Sequence, residues 1–263
     1  MGRPTREIAD EFDGRAPHYV RSSWHKIYAE GLVGRLPLRP GATVLDVGAG
    51  TGMATRPAAR RSGPGGRVLA VDVSPAMLAA LRTAPSGPGA APIAAIRADA
   101  SQLPLPDRSV DTVIASAVLL YLPVLTALTE WFRVLRPGGS VGCSTMAAGH
   151  PPAAALFRRL AASYGVIIDD PSADLGSSRA CRAALGRAGF VGIEVTRGDV
   201  TFTADDLAGA REAHDRGFGH RLAVLTTAER GRFWAAYEAA LSAEPASMGR
   251  AEVRYAVARR PAG

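Results

Sequence analysis

The chain has 263 residues, 47% of them hydrophobic, and a formal net charge of +7, which suits one large domain or a domain with a cap. No run approaches the roughly 18 consecutive apolar residues of a membrane span, and Arg3, Arg6, Glu7, Asp10 and Glu11 interrupt the segment where a secretory leader would be apolar; a cytoplasmic protein without membrane contact is expected. Cys143 and Cys181 are too few for a disulfide scaffold and lack metal-ligand spacing, so no metal is expected.

The positive charge raises the question of nucleic acid. A nucleic-acid footprint gathers basic residues into a stripe with aromatics available for stacking. Here they are scattered, Lys26 is the sole lysine among 31 basic residues, and Arg60-Arg61 and Arg158-Arg159 read as solvated helix faces. Nucleic acid is not expected as a partner, and nothing in the sequence sets the oligomeric state.

In chain order, residues 5 to 36 read as helical, with Ile27, Leu32, Val33 and Leu36 at helix-like spacings. Short apolar strands are predicted near 43–47, 68–72, 93–98, 111–116 and 140–145, alternating with helical sequence as in a parallel βαβ sheet. Ser74 and Pro75 are set to start a helix as N-cap and first-turn residue, with Met77 just inside it. Beyond this core, a helix over Cys181–Ala188 is stopped by Gly189, Val191–Thr196 forms a sixth strand and Val253–Ala258 a seventh. Asp107 and Asp111 read as turn residues, and Cys143 as a small core residue.

Two segments exceed what the sheet needs, residues 147–177 and 203–248, and long insertions in compact domains are commonly functional. In the second, Thr203 and Thr226 are candidate N-caps, Thr226 with Glu229 in capping-box spacing. Phe233, Trp234, Tyr237 and Leu241 form an apolar helical stripe, expected to pack on the protein's own core rather than on a ligand.

The chemistry concentrates at Val44-Leu45-Asp46-Val47-Gly48-Ala49-Gly50-Thr51-Gly52, an apolar strand that runs into a glycine-rich turn. Glycine supplies positive φ and close backbone approach. A dinucleotide fingerprint places its third glycine one residue later and sets a helix N-terminus against pyrophosphate. Here Gly52 comes early, and Asp46, two residues before Gly48, suits an amine better than a phosphate. Val68-Leu69-Ala70-Val71-Asp72 is a second strand ending in an acid, where a carboxylate can accept ribose hydroxyls. Ile93 to Ala100 ends on Asp99, Leu103-Pro104-Leu105-Pro106 leads toward Thr112 to Ser116, and Arg133 to Gly139 precedes the next strand.

That ordered set, from about residue 40 to 146, resembles the class I S-adenosylmethionine-dependent methyltransferases. Phe12-Asp13-Gly14-Arg15-Ala16-Pro17-His18-Tyr19 further resembles the Phe-Asp-x-x-Ala-x-x-Tyr opening of members acting on quinones and other small metabolites. The resemblance implies an α/β fold: a Rossmann-like, seven-stranded, mostly parallel sheet with helices on both faces, plus a helical N-terminal segment and helical cap insertions. It implies one methyltransferase domain over 1–263, with 1–40 as a helical lid, 41–146 as the cofactor-binding core, and 147–177 and 203–248 as substrate caps.

The cofactor implied is S-adenosylmethionine, with S-adenosylhomocysteine as product. Asp46 and the backbone of Gly48, Ala49, Gly50 and Gly52 would hold the methionine portion and Asp72 the ribose, with Val73 a further cofactor-binding residue. Asp99 and Ala100 would hold the adenine with Met77 at its wall, Ser116 would form the far wall, and Tyr19 would cover the methionine end. Many small-molecule members carry one or two histidines after the fourth strand. This chain reads Leu119-Leu120-Tyr121-Leu122-Pro123 there, so the family's base does not transfer; His18, Tyr121, His150 and His214 are the substitutes, with His25 a further histidine able to approach the cavity.

The expected activity is methyl transfer to oxygen or carbon of a small-molecule metabolite, specialised or quinone-like. Two alternatives are a cyclase or isomerase that binds the same cofactor without net methyl transfer, and a non-catalytic partner subunit.

Overall fold

The computed structural model describes residues 5–19 and 23–263, without the side chains of His18 and Pro245. Seven strands form one sheet: β1 (Thr43–Val47), β2 (Arg67–Asp72), β3 (Ile93–Arg97), β4 (Val110–Ser116), β5 (Leu135–Met146), β6 (Val191–Thr201) and β7 (Arg250–Arg259). Their order is β3-β2-β1-β4-β5-β7-β6. The first five are parallel, whereas β7 inserts antiparallel between β5 and β6. The seven-stranded, mostly parallel α/β sheet is the architecture the sequence predicts.

β1 is buried along its whole length, as expected of a central parallel strand covered on both faces. Its alternate side chains separate two cores. Leu45 and Val47 join Leu128 and Trp131 of α5 (Val124–Val134) and Cys181 and Leu185 of α7 (Ser178–Arg187). Val44 points the other way, into a cluster with Leu32 and Val33 of α2 (Ser23–Arg35) and Ala58 and Ala59 of α3 (Thr55–Ser62). Asp46 shares the parity of Val44.

Local signals place most element ends. Ser74 caps α4 (Pro75–Thr83) by accepting from the Met77 N–H at 3.0 Å. α7 starts three residues before its predicted first residue because the Ser177 hydroxyl accepts from Ala180 N. β5 begins at Leu135 rather than 140: Leu135 pairs with Val110, and the ladder shifts before resuming at Ser140 opposite Thr112. Asp111 lies within β4 rather than in a turn, and its carboxylate accepts from Thr43 N at 2.8 Å and pairs with Arg136. Ile27 departs from the predicted helix face; it is exposed, while Tyr28, Ala29, Leu32 and Val33 are buried.

The two long insertions meet each other. α6 (Pro152–Ser163) comes from the first, and α8 (Ala204–Ala208), α9 (Ala210–Phe218), α10 (Thr227–Ala243) and α11 (Pro245–Met248) come from the second. Thr203 and Thr226 each close a full capping box, with Asp206 and Glu229. Phe233, Trp234 and Tyr237 pack with Leu156 and Phe157 of α6, Val166, Ile168, Leu222 and Leu225 in a core separate from those of the sheet. The aromatic stripe therefore holds the insertions together, in line with its expected packing role.

Candidate functional site

The strand order reverses between β1 and β4, leaving a crevice at their carboxyl ends where α/β sheets place ligands. A cleft opens there with about 1260 Å³ of empty space, part of it continuous with solvent. Eleven of the twelve residues expected to bind cofactor line it: Tyr19, Asp46, Gly48, Ala49, Gly50, Asp72, Val73, Met77, Asp99, Ala100 and Ser116. Gly52 does not. It closes the turn by donating to Ala49 O at 2.9 Å, and a Cβ there would lie 2.7 Å from Arg56 Nη1.

The glycine loop is built for close approach. Gly48 and Gly50 have φ of 62° and 53°, values costly for residues with a Cβ. A Cβ on Gly48 would stand 2.4 Å from Val118 Cγ2, so this glycine admits the segment after β4. A Cβ on Gly50 would meet only Met77 Sδ, at 4.0 Å; there the backbone faces open cleft.

Three carboxylates line this space. Asp72 ends β2 and accepts from Gly50 N at 2.8 Å through Oδ2 and from Ser74 N at 2.9 Å through Oδ1. Each oxygen keeps a lone pair for a ligand. Burial raises its pKa, against the lowering effect of those N–H groups. Asp46 is 1% exposed and accepts from the Thr55 hydroxyl at 2.6 Å. Burial, opposed by that hydrogen bond and reinforced by the charge of Asp72, moves its pKa up to about 7. Asp99 follows β3. Its partial burial favours the neutral form, but bonds from Ser101 and from the Thr5 hydroxyl outweigh this and hold its pKa below the usual value.

The far end is aromatic. α1 (Thr5–Tyr19) brings Phe12 and Tyr19, α2 brings His25 and Tyr28, and a 3₁₀ turn over Leu119–Tyr121 brings Tyr121. Phe12 meets Tyr121 edge-on at 5.1 Å, and His25 stacks on Trp24 at 3.5 Å and meets Tyr19 at a tilt, 3.9 Å between centroids. The segment 5–19 is anchored to the loops after β3 and β2: Thr5 bonds Asp99, and Asp13 accepts from Ser74 Oγ at 2.5 Å and Ala76 N at 3.1 Å.

The substitute histidines fare differently. Burial lowers the pKa of His214 to about 4, and its ring lies stacked on Phe157 where the two insertions pack together, with Nδ1 2.7 Å from Ala210 O and 3.0 Å from the Tyr237 hydroxyl. His150 Nδ1 accepts from Glu252 N at 3.3 Å. Neither lines the cleft. The side chain of His18 is outside the described residues. Tyr121 and His25 are the candidates that reach the cavity. Thr5, Tyr28 and Thr51, which also line it, were not anticipated; their only sequence signal is proximity to the recognised motifs.

A sheet of this order, with a glycine loop after β1 and acids closing β2 and following β3, is the arrangement that the resemblance to class I S-adenosylmethionine-dependent methyltransferases implies. Residues 45–143 match the family model described as "Methyltransferase domain". The ubiquinone/menaquinone biosynthesis C-methyltransferase of Bordetella parapertussis is 34% identical over 146 residues, 52% of this chain and 55% of that protein. The malonyl-[acyl-carrier protein] O-methyltransferase of a Marinomonas species is 36% identical over 149 residues, 56% and 54% of the two. Phosphoethanolamine N-methyltransferase 2 of Haemonchus contortus shares the fold with TM-score 0.55 and 20% identity, over 89% of this chain and 52% of that one. The chain thus spans about half the length of the curated relatives it matches.

Proposed function

We propose that this protein transfers a methyl group from S-adenosylmethionine to oxygen or carbon of a small-molecule metabolite. The observation that carries this reading is the convergence of Gly50, Asp46, Asp72 and Asp99 on one cleft, with the Asp72 carboxylate tied to the Gly50 N–H. The relatives whose names specify carbon and oxygen methylation support both acceptor types.

The donor set fits the cofactor. Thr51 is 2% exposed, lines the cleft, and its hydroxyl has no protein partner; a buried hydroxyl left so costs free energy that a ligand carboxylate would recover. Asp46 would take the ammonium, Asp72 the ribose hydroxyls, and Asp99 the adenine amine, with Met77 and Val73 along its rings. Tyr19 and Phe12 would close the methionine end. S-adenosylmethionine supplies a methyl carbon already activated by the attached sulfonium. The protein then has to align the acceptor with that carbon and exclude water. Segment 5–19, fastened to Asp99 and Ser74, would act as the lid, and the two insertions as substrate caps.

Mass spectrometry of acceptors incubated with S-adenosylmethionine tests this reading. A gain of one methylene is expected. An isomer of unchanged mass would replace methyl transfer by the cyclase alternative.

A further inference from the structure

Behind the glycine loop lies a cation that the cleft itself does not show. Thr51 lines the cleft, and its carbonyl accepts from Arg56 Nη2 at 2.8 Å. Arg56 stands in the first turn of α3, next to Thr55, whose hydroxyl holds Asp46, and does not line the cleft. Two consecutive residues of one helical turn therefore fasten the carboxylate before the glycine loop and a peptide inside it. Gly52 makes room for this contact, since a Cβ there would lie 2.7 Å from Arg56 Nη1.

Arg56 breaks local rules where it stands. A cation in the first turn of a helix opposes the helix dipole, and this turn carries no acid to offset it. Arg56 Nη1 is buried without a hydrogen-bond partner, and the side-chain charge that acts on the guanidinium is the like charge of Arg60. A buried N–H of a charged group left unsatisfied is destabilising. Departures of this kind are expected where function requires them.

We infer that Arg56 is a positioning residue for donor recognition, fixing the Thr51 peptide so that the Thr51 hydroxyl, buried without a protein partner, meets the carboxylate of the donor's amino-acid end. The inference rests on the methyltransferase reading and deepens it. Arg56 acts through Thr51, so its removal should be felt by ligands that carry the carboxylate and not by those that lack it. A guanidinium that merely packed the loop would affect both alike.

The test compares S-adenosylhomocysteine with its decarboxylated analogue, which keeps the nucleoside and the ammonium, by calorimetry at pH 7.5. No binding of S-adenosylhomocysteine refutes the methyltransferase reading itself. With that binding intact, the parent protein is expected to hold S-adenosylhomocysteine about tenfold or more tightly than the analogue. Arg56→Met, which keeps the aliphatic stem, should erase most of that preference and leave the affinity for the analogue unchanged. Arg56→Lys, the milder change and the fallback if Arg56→Met does not fold, keeps a cation able to reach the Thr51 carbonyl and should retain part of the preference. Thr51→Val should weaken S-adenosylhomocysteine about three- to tenfold, and combining it with Arg56→Met should cost less than the product of the two losses, as for residues acting in one contact. A parent protein without the preference, Arg56 variants that weaken both ligands alike or neither, or losses that multiply independently overturn the inference.

Discussion

The Thr5 hydroxyl donates to Asp99 Oδ2 at 2.6 Å, joining the first turn of α1 to the carboxylate after β3 across 94 residues of sequence. Two turns further along the same helix, Asp13 accepts from Ser74 Oγ and Ala76 N. These bonds tether α1 over the cleft beside Asp99 and Ser74, so under the proposed function they should control how fast a bound nucleoside leaves. Asp13→Ala removes two acceptor contacts and should speed dissociation of S-adenosylhomocysteine about tenfold, with a smaller effect on association. Stopped-flow fluorescence reads both rates, and an unchanged dissociation rate would deny the helix a lid role.

Asp46 provides a pH signature. Its pKa in the fold is about 7 against an ordinary 3.8. A carboxyl raised in this way contributes most to stability below its unfolded value, and the contribution is lost as pH rises through the folded one. The unliganded protein should therefore lose stability between about pH 4 and pH 7. A cationic ligand selects the ionised carboxylate, so donor affinity should rise over the upper part of that window and level off above about pH 7. Asp46→Asn should flatten both trends. Thermal melts and calorimetry across pH 5 to 8 check this, and parallel curves for the variant and the parent protein would remove Asp46 from the ammonium site.

Trp131 links the core to the cleft wall at Ala100. It is fully buried, and its indole N–H donates to Ala100 O at 2.8 Å. Trp131→Phe leaves that carbonyl without its partner, which should cost roughly 1–3 kcal/mol and weaken donor binding by shifting Ala100. Denaturant unfolding alongside S-adenosylhomocysteine titration measures the two effects; a stability loss with unaltered affinity would limit Trp131 to packing.

The insertions have a core of their own around Phe157. Phe157→Ala should cost about 3–5 kcal/mol, concentrated in α6, α9 and α10, while leaving S-adenosylhomocysteine affinity near that of the parent. Hydrogen exchange followed by mass spectrometry would locate the loss, and uniform loss of protection through β1 to β5 would contradict a separable cap.

The sheet and the glycines and acids that line the cleft were legible because their signals are local. The strand at 43–47, the glycines at 48 and 50, and the acids at 72 and 99 each sit next to the element that positions them. How the cleft is covered depends on contacts between segments far apart, such as Thr5 with Asp99 and Gly48 with Val118, which periodicity does not encode. The same cause misplaced the histidines. His150 and His214 fall in the insertions by sequence position, but packing directs His214 into the cap core and His150 to the backbone of β7. His25 reaches the cavity from α2.

The most direct measurement is a calorimetric titration of the purified protein with S-adenosylhomocysteine and S-adenosylmethionine at pH 7.5, paired with Asp72→Ala. One site per chain is expected, with a dissociation constant on the order of micromolar, weakened at least about tenfold in Asp72→Ala because a buried ribose hydroxyl pair loses its acceptor. A folded protein that binds neither ligand at millimolar concentration, or an Asp72→Ala variant with unchanged affinity, would contradict the account.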